Sequence, residues 1–125
     1  MEIIKNLLAV GAGSFIGGAL RYWLSTLIKT SLHTAFPWQT IIVNLIGCFA
    51  IGIFWGIFNR LGASSNSMSL LLTTGLCGGF TTFSAFAKES IQMLQSGDIT
   101  GFLCYIGISV VGGLLLVAFS YWIFK

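Results

Sequence analysis

The stretch LLLTTGLCGGFTTFSAF, Leu70 to Phe86, decides how the chain is read. It has no charge and is apolar enough for lipid, yet it carries Gly75, Gly78 and Gly79 among the hydroxyls of Thr73, Thr74, Thr81, Thr82 and Ser84. Hydroxyls can bond back onto helix carbonyls, and glycine lets helices approach closely, so ordinary packing is one reading. The other is a helix that unwinds near its midpoint, because glycine tolerates irregular backbone. Unwound backbone survives in hydrocarbon only where protein or water satisfies it. Such a break frees carbonyls for a cation and amides for an anion. The clustered glycines favour a third helix broken mid-membrane, at a functional centre.

Working outward, the uncharged runs are 6–20, 30–59, 61–87 and 99–124. A lipid-crossing helix needs about 20 mostly apolar residues. The first run reaches that length by continuing through Arg21 to Ile28. Four spans result, at roughly 4–28, 38–58, 68–94 and 99–124, in one domain covering 1–125. Outer-membrane strands alternate apolar and polar residues over about ten positions, and no such alternation occurs here. The fold class is therefore all-α and membrane-embedded. The first span reads as a retained helix, not a cleaved signal, because three equally apolar spans follow it. Pro37 suits the first turn of the second helix, and Asn66 or Ser67 suits the cap of the third.

Composition agrees. Residues are 56% hydrophobic and 7% charged, with a mean hydropathy of +0.95. A soluble domain carries about 25% charged residues. The net charge of +3 comes from scattered single residues, with no basic run to follow a phosphate backbone, which argues against nucleic acid as a partner. Cys48, Cys77 and Cys104 lie in separate apolar segments at neither disulfide nor metal spacing, and read as small buried apolar residues.

Gly13 and Gly17, Gly52 and Gly56, and Gly75 and Gly79 each form G-x-x-x-G, a spacing that favours close helix crossings. Trp23, Trp38, Tyr121 and Trp122 sit near span ends, where aromatic residues anchor to the interface. Four spans place Lys5, Arg60 and Lys125 on one side of the bilayer. Lys29 and Lys88 lie on the other, joined by Arg21 if it reaches outward. The cationic bias that normally orients a chain is nearly absent. Insertion in both orientations, with antiparallel pairing, follows as an expectation beside a single orientation set by weaker cues.

An enzyme is poorly supported. His33 is the one histidine, and Glu2, Glu89 and Asp98 fall near span ends, so no mid-membrane nucleophile, base or carboxylate pair emerges. Arg21, inside the first span, either marks function or extends its charge to the surface. Asn44 offers two donors and one acceptor, for a polar path or for holding helices together. Phe83 and Phe86 are three apart and share a helical face. Their ring edges carry partial positive charge suited to an anion, although paired phenylalanines also simply pack. Tyr105 and Ser109 lie one helical turn apart on the fourth span and extend a row of donors.

Taken together, GSFIGGALRYW, FPWQTIIVNLIGCFAIG and GLCGGFTTFSAF resemble, in order and at this length, the fluoride channel family of small CrcB-type proteins, also called Fluc. The resemblance implies an antiparallel, dual-topology homodimer with two fluoride pathways, and the expected location is a cell inner or plasma membrane. It implies that Phe83 and Phe86 line them, that Asn44 donates its amide, and that Tyr105 and Ser109 lie along the polar track, with Thr82 and Ser84 alongside. It implies a central sodium ion held by backbone carbonyls at Gly78 and Thr81, and an aqueous vestibule near Arg21. The chain departs from the pattern at Gly113, where relatives often carry a serine or threonine, so either the outer track is shorter or water fills the place. The expected function is passive fluoride export. A small multidrug-type or proton-coupled transporter is the alternative, which would favour a titratable group mid-span, where only Tyr105 comes near. A purely structural membrane subunit would need no aligned donors.

Overall fold

The computed structural model describes residues 2–63 and 66–125. The regular structure among them is all helical, with no strand. Helix α1 runs Glu2–Leu32 and α2 runs Trp38–Arg60. The third span comprises α3 (Ser67–Leu70), a π-helical segment (Leu71–Cys77), α4 (Gly78–Phe80) and α5 (Phe83–Gln95). Helix α6 runs Ile99–Phe124. The stretches 2–32, 38–60, 67–95 and 99–124 are each long and apolar enough to cross a membrane.

The four spans of the sequence are thus present, with α1 extending further than expected at both ends. Its 31 residues measure about 46 Å at 1.5 Å per residue, against a hydrocarbon core of about 30 Å. The excess contains Glu2 and Lys29, which hydropathy alone trims away, although charged residues sit comfortably in the interfacial turns of a helix. Pro37 stands just outside α2, immediately before its first residue, rather than within the first turn. Asn66 caps the third span, its Oδ1 accepting the Ser69 N–H at 2.8 Å. Asp98 does the same for α6, accepting from the Gly101 N–H at 2.9 Å across a tight hinge in which Gly97 has φ +82°.

Glycines form the helix crossings. Gly13 and Gly17 of α1 face Gly75 and Gly79 of the third span. A Cβ added at Gly79 would lie 2.7 Å from the Ser14 carbonyl oxygen, and one at Gly75 would lie 2.8 Å from that of Val10. Cβ atoms at Gly13 and Gly17 would overlap the carbonyls of Leu71 and Leu76. Two G-x-x-x-G motifs thus interlock directly, which puts the two backbones in contact. The third motif serves α2 against α6, where Gly52 admits the buried Ser120 and Gly56 lies against the backbone at Tyr121 and Lys125. Large apolar side chains point outward instead, Phe15 being 80% exposed and Leu114, Leu115 and Trp122 widely so. This inversion of the soluble pattern suits a chain whose surroundings are hydrocarbon.

Candidate functional site

The site forms where α-helical backbone stops at Phe80 and resumes at Phe83. Thr81 (φ −91°, ψ 160°) and Thr82 (φ −145°, ψ 119°) are extended. The glycines do not supply this irregularity, contrary to the sequence reading. Gly78 is helical, with φ −62° and ψ −39°, and Gly75 and Gly79 instead serve the close approach to α1. Two β-branched threonines, which tolerate extended backbone well, occupy the interruption.

A helix that stops and restarts leaves carbonyls and N–H groups without helical partners. Here side chains from the other spans take many of them. The Thr82 N–H would bond the Gly78 carbonyl in a continuous helix, but it donates to Asn44 Oδ1 at 2.8 Å. Asn44 Nδ2 donates to the Thr82 carbonyl at 3.0 Å. Arg21 Nε donates to the Gly79 carbonyl at 3.0 Å. The Cys77 carbonyl accepts both the Thr81 N–H and the Thr81 hydroxyl, each at 3.0 Å. Thr82 Oγ1 caps α5 by accepting the Ala85 N–H at 3.2 Å, and lies 3.3 Å from Ser84 Oγ.

A cavity of about 330 Å³ opens beside the interruption. Asn44, Gly78, Thr81, Thr82, Phe83, Phe86 and Ser109 line it, so seven of the residues singled out in the sequence converge on one space. The rings of Phe83 and Phe86 are tilted at 50° with centroids 5.7 Å apart. Phe83 is 78% exposed, while Phe86 is half-buried against Tyr105 at 5.1 Å. Ser109 Oγ is buried and has no hydrogen-bond partner among the described residues. An unpaired buried hydroxyl is costly, which marks it as a place for a polar guest.

Tyr105 does not line this cavity but packs against Phe86, which does. It is fully buried, its ring packed between Phe86 and Phe36, and its hydroxyl donates to Glu89 Oε1 at 2.7 Å. Glu89 in turn lines a second cavity of about 540 Å³, with Lys29, Lys88, Gln92 and Asp98, at the end of the bundle beside the first hinge. Arg21 is not among the residues lining this polar opening. The Phe86–Tyr105–Glu89 contact therefore joins the apolar cavity to the polar one. The sequence reading left Glu89 as an end-of-span acid. Its position three residues after Phe86, on the same helical face, was the available signal. Cys77 is buried and Cys48 partly so, but Cys104 is exposed, which corrects the reading of it as a buried residue. No group of three or more His, Cys, Asp or Glu side chains among the described residues is arranged to hold a metal.

The fold and this site define an all-helical protein with membrane-spanning helices and a polar, interrupted third span facing a cavity. The chain belongs to the CrcB family: the family described as "CrcB-like protein, Camphor Resistance (CrcB)" matches residues 8–121. It is 45% identical over 119 residues to the fluoride-specific ion channel FluC of Phocaeicola vulgatus, covering 95% of this chain and 98% of that one. It is 41% identical over 112 residues to the protein of the same description from Flavobacterium psychrophilum, covering 90% of each. A third, from Leptospira interrogans, is 41% identical over 125 residues, covering all of this chain and 98% of its own length.

Proposed function

We propose that this protein is a passive, fluoride-selective channel that exports fluoride through a bacterial inner or plasma membrane. The observation that carries the reading is the convergence of Asn44, Thr82, Phe83, Phe86 and Ser109 on one cavity beside the interruption of the third span. The naming of the relatives as fluoride-specific channels supports it. Fluoride is small and holds its water tightly. A pore must replace that water with donors while avoiding a trap too deep to leave. The cavity suits both needs: its donors are neutral amide and hydroxyl groups, and its ring edges carry only partial positive charge. We place the interruption mid-membrane, where irregular backbone requires just this kind of satisfaction by neighbouring side chains.

The exposure of Phe83 supports a second chain as its cover. An antiparallel homodimer of oppositely inserted copies fits the even distribution of Lys and Arg. A central sodium ion fits the donor chemistry. The Gly78 carbonyl has lost its helical donor to Asn44, and the Thr81 carbonyl sits in extended backbone. Hard carbonyl oxygens suit a hard cation, and two from each chain would together hold it. When bound, the ion would lend positive field to a site that handles an anion.

The Tyr105–Glu89 hydrogen bond is the one feature that favours a proton-coupled transporter, since it puts a titratable pair beside the path. Fluoride efflux from liposomes separates the readings. With charge balanced by a potassium ionophore, a channel releases fluoride down its gradient without proton movement, whereas a coupled transporter moves protons across the membrane in fixed proportion to the fluoride. Tags on each terminus, probed from one side of intact cells, test the dimer; uniform cytoplasmic termini would rule out antiparallel assembly.

A further inference from the structure

Two thiols stand in the wall of the same cavity, and the donor chemistry above makes no use of them. Cys48 on α2 and Cys77 at the end of the π-helical segment both line it. Cys77 is 3% exposed. Cys48 has room for its sulfur because residue 113 of α6 has no side chain: a Cβ there would lie 3.2 Å from Cys48 Sγ. The two cysteines stand on different spans and line the same cavity of about 330 Å³. The surrounding wall includes Ile51 and Val110, and no charged side chain among the described residues lines the cavity.

We propose that Cys48 and Cys77 together form a binding site for a soft d¹⁰ cation that takes two thiolates, and that its occupation blocks the cavity. Soft thiolate ligands select soft metals over the hard cations that carbonyl oxygens hold. With mercuric ion, two S–Hg bonds form, each thiol releases its proton to water, and the product is neutral. The bound metal then leaves no net charge on a stretch of wall formed by Cys48, Ile51, Cys77 and Val110, which has no charged side chain to balance one. The block rests on the cavity being the fluoride path, whereas the metal site does not.

The test uses the reconstituted full chain carrying Cys104→Ala, which removes the exposed thiol. Mercuric chloride is added at one equivalent, and the protein is then passed through buffer with excess monothiol. A single thiol gives its metal up to that competitor. A pair held in one fold resists it, because the second bond forms at high effective concentration. The expected result is one mercury retained per chain, lost on Cys48→Ser or Cys77→Ser, with fluoride efflux abolished only where mercury is retained. Cys48→Ala and Cys77→Ala, checked for elution as the parent assembly, guard against a serine-specific folding defect. Retention by either single-cysteine variant, or one metal per two chains, would overturn the site. Retention with undiminished efflux would overturn the block and count against the pathway reading. Absence of retention in the two-thiol chain would overturn the site while leaving that reading in place.

Discussion

Asn44 grips Thr82 by both ends of its amide, donating to the Thr82 carbonyl at 3.0 Å and accepting the Thr82 N–H at 2.8 Å. The geometry copies the paired bonds of a sheet within an all-helical protein. It holds the interruption open, since the Thr82 N–H can no longer close the helix onto Gly78. One Nδ2 hydrogen is left over, because a primary amide carries two. Asn44 can thus fix the backbone and still present a donor to the cavity.

Asn44→Leu removes this grip at similar size. Both Thr82 backbone groups lose their partner, at about 1–3 kcal/mol each when buried and less where water enters the cavity. A drop of about 1–2 kcal/mol in stability is expected, with fluoride efflux falling to the level of empty liposomes. Thermal unfolding in detergent and efflux on the same preparation check both. Unchanged stability would mean the two bonds contribute nothing net.

The crossing of α1 with the third span separates two adjacent glycines. Gly79→Ala pushes a methyl against the Ser14 backbone at 2.7 Å, and backbone cannot rotate away. Overpacking of this kind costs about 1–3 kcal/mol. Gly78→Ala meets nothing closer than 4.0 Å within the chain. It should keep the stability of the chain or raise it slightly through better helix propensity. Equal melting of the two variants would show that the crossing can spread apart.

His33 follows the last turn of α1 with φ +50°, the described non-glycine residue with positive φ. Glycine is the favoured residue at such a helix end, and left-handed backbone costs an L-residue about 1–2 kcal/mol, less for histidine in a turn. His33→Gly should therefore stabilise the protein by about 0.5 kcal/mol after the added freedom of the unfolded chain is counted. His33 lines neither cavity, so fluoride efflux should stay unchanged. A lower melting temperature would contradict this.

How far the sequence reached depended on range. Span existence was legible, because hydrophobic length is local and the bilayer sets it. The G-x-x-x-G motifs were visible as spacings, but which motif met which was not. That Gly13 and Gly17 lock onto Gly75 and Gly79 is a tertiary fact. The interruption was placed on glycines because their flexibility is the local signal, yet its position was decided by Asn44, 38 residues away from Thr82 along the chain. Glu89 was missed for the same reason: its partner Tyr105 lies on another helix. The convergence of Asn44, Phe83, Phe86 and Ser109 was expected from the resemblance to fluoride channels more than from any spacing.

Phe83 and Phe86 make the sharpest test of the path. Their centroids are 5.7 Å apart and both line the cavity, but their surroundings differ. Phe86 packs on Tyr105, whereas Phe83 is largely uncovered within the chain. Replacing either ring with isoleucine keeps apolar bulk and removes the positive ring edge. Phe86→Ile also loses an aromatic contact with Tyr105, worth about 0.5–1.5 kcal/mol, so its stability should fall slightly. Phe83→Ile loses little within the chain and should melt like the parent. If the ring edges carry fluoride, efflux should nonetheless fall at least about tenfold in both, a barrier increase of about 1.4 kcal/mol. Efflux from liposomes holding equal amounts of assembled protein provides the measurement. Parent rates in both variants would remove the rings from the mechanism and shift the path to the hydroxyls of Thr82, Ser84 and Ser109.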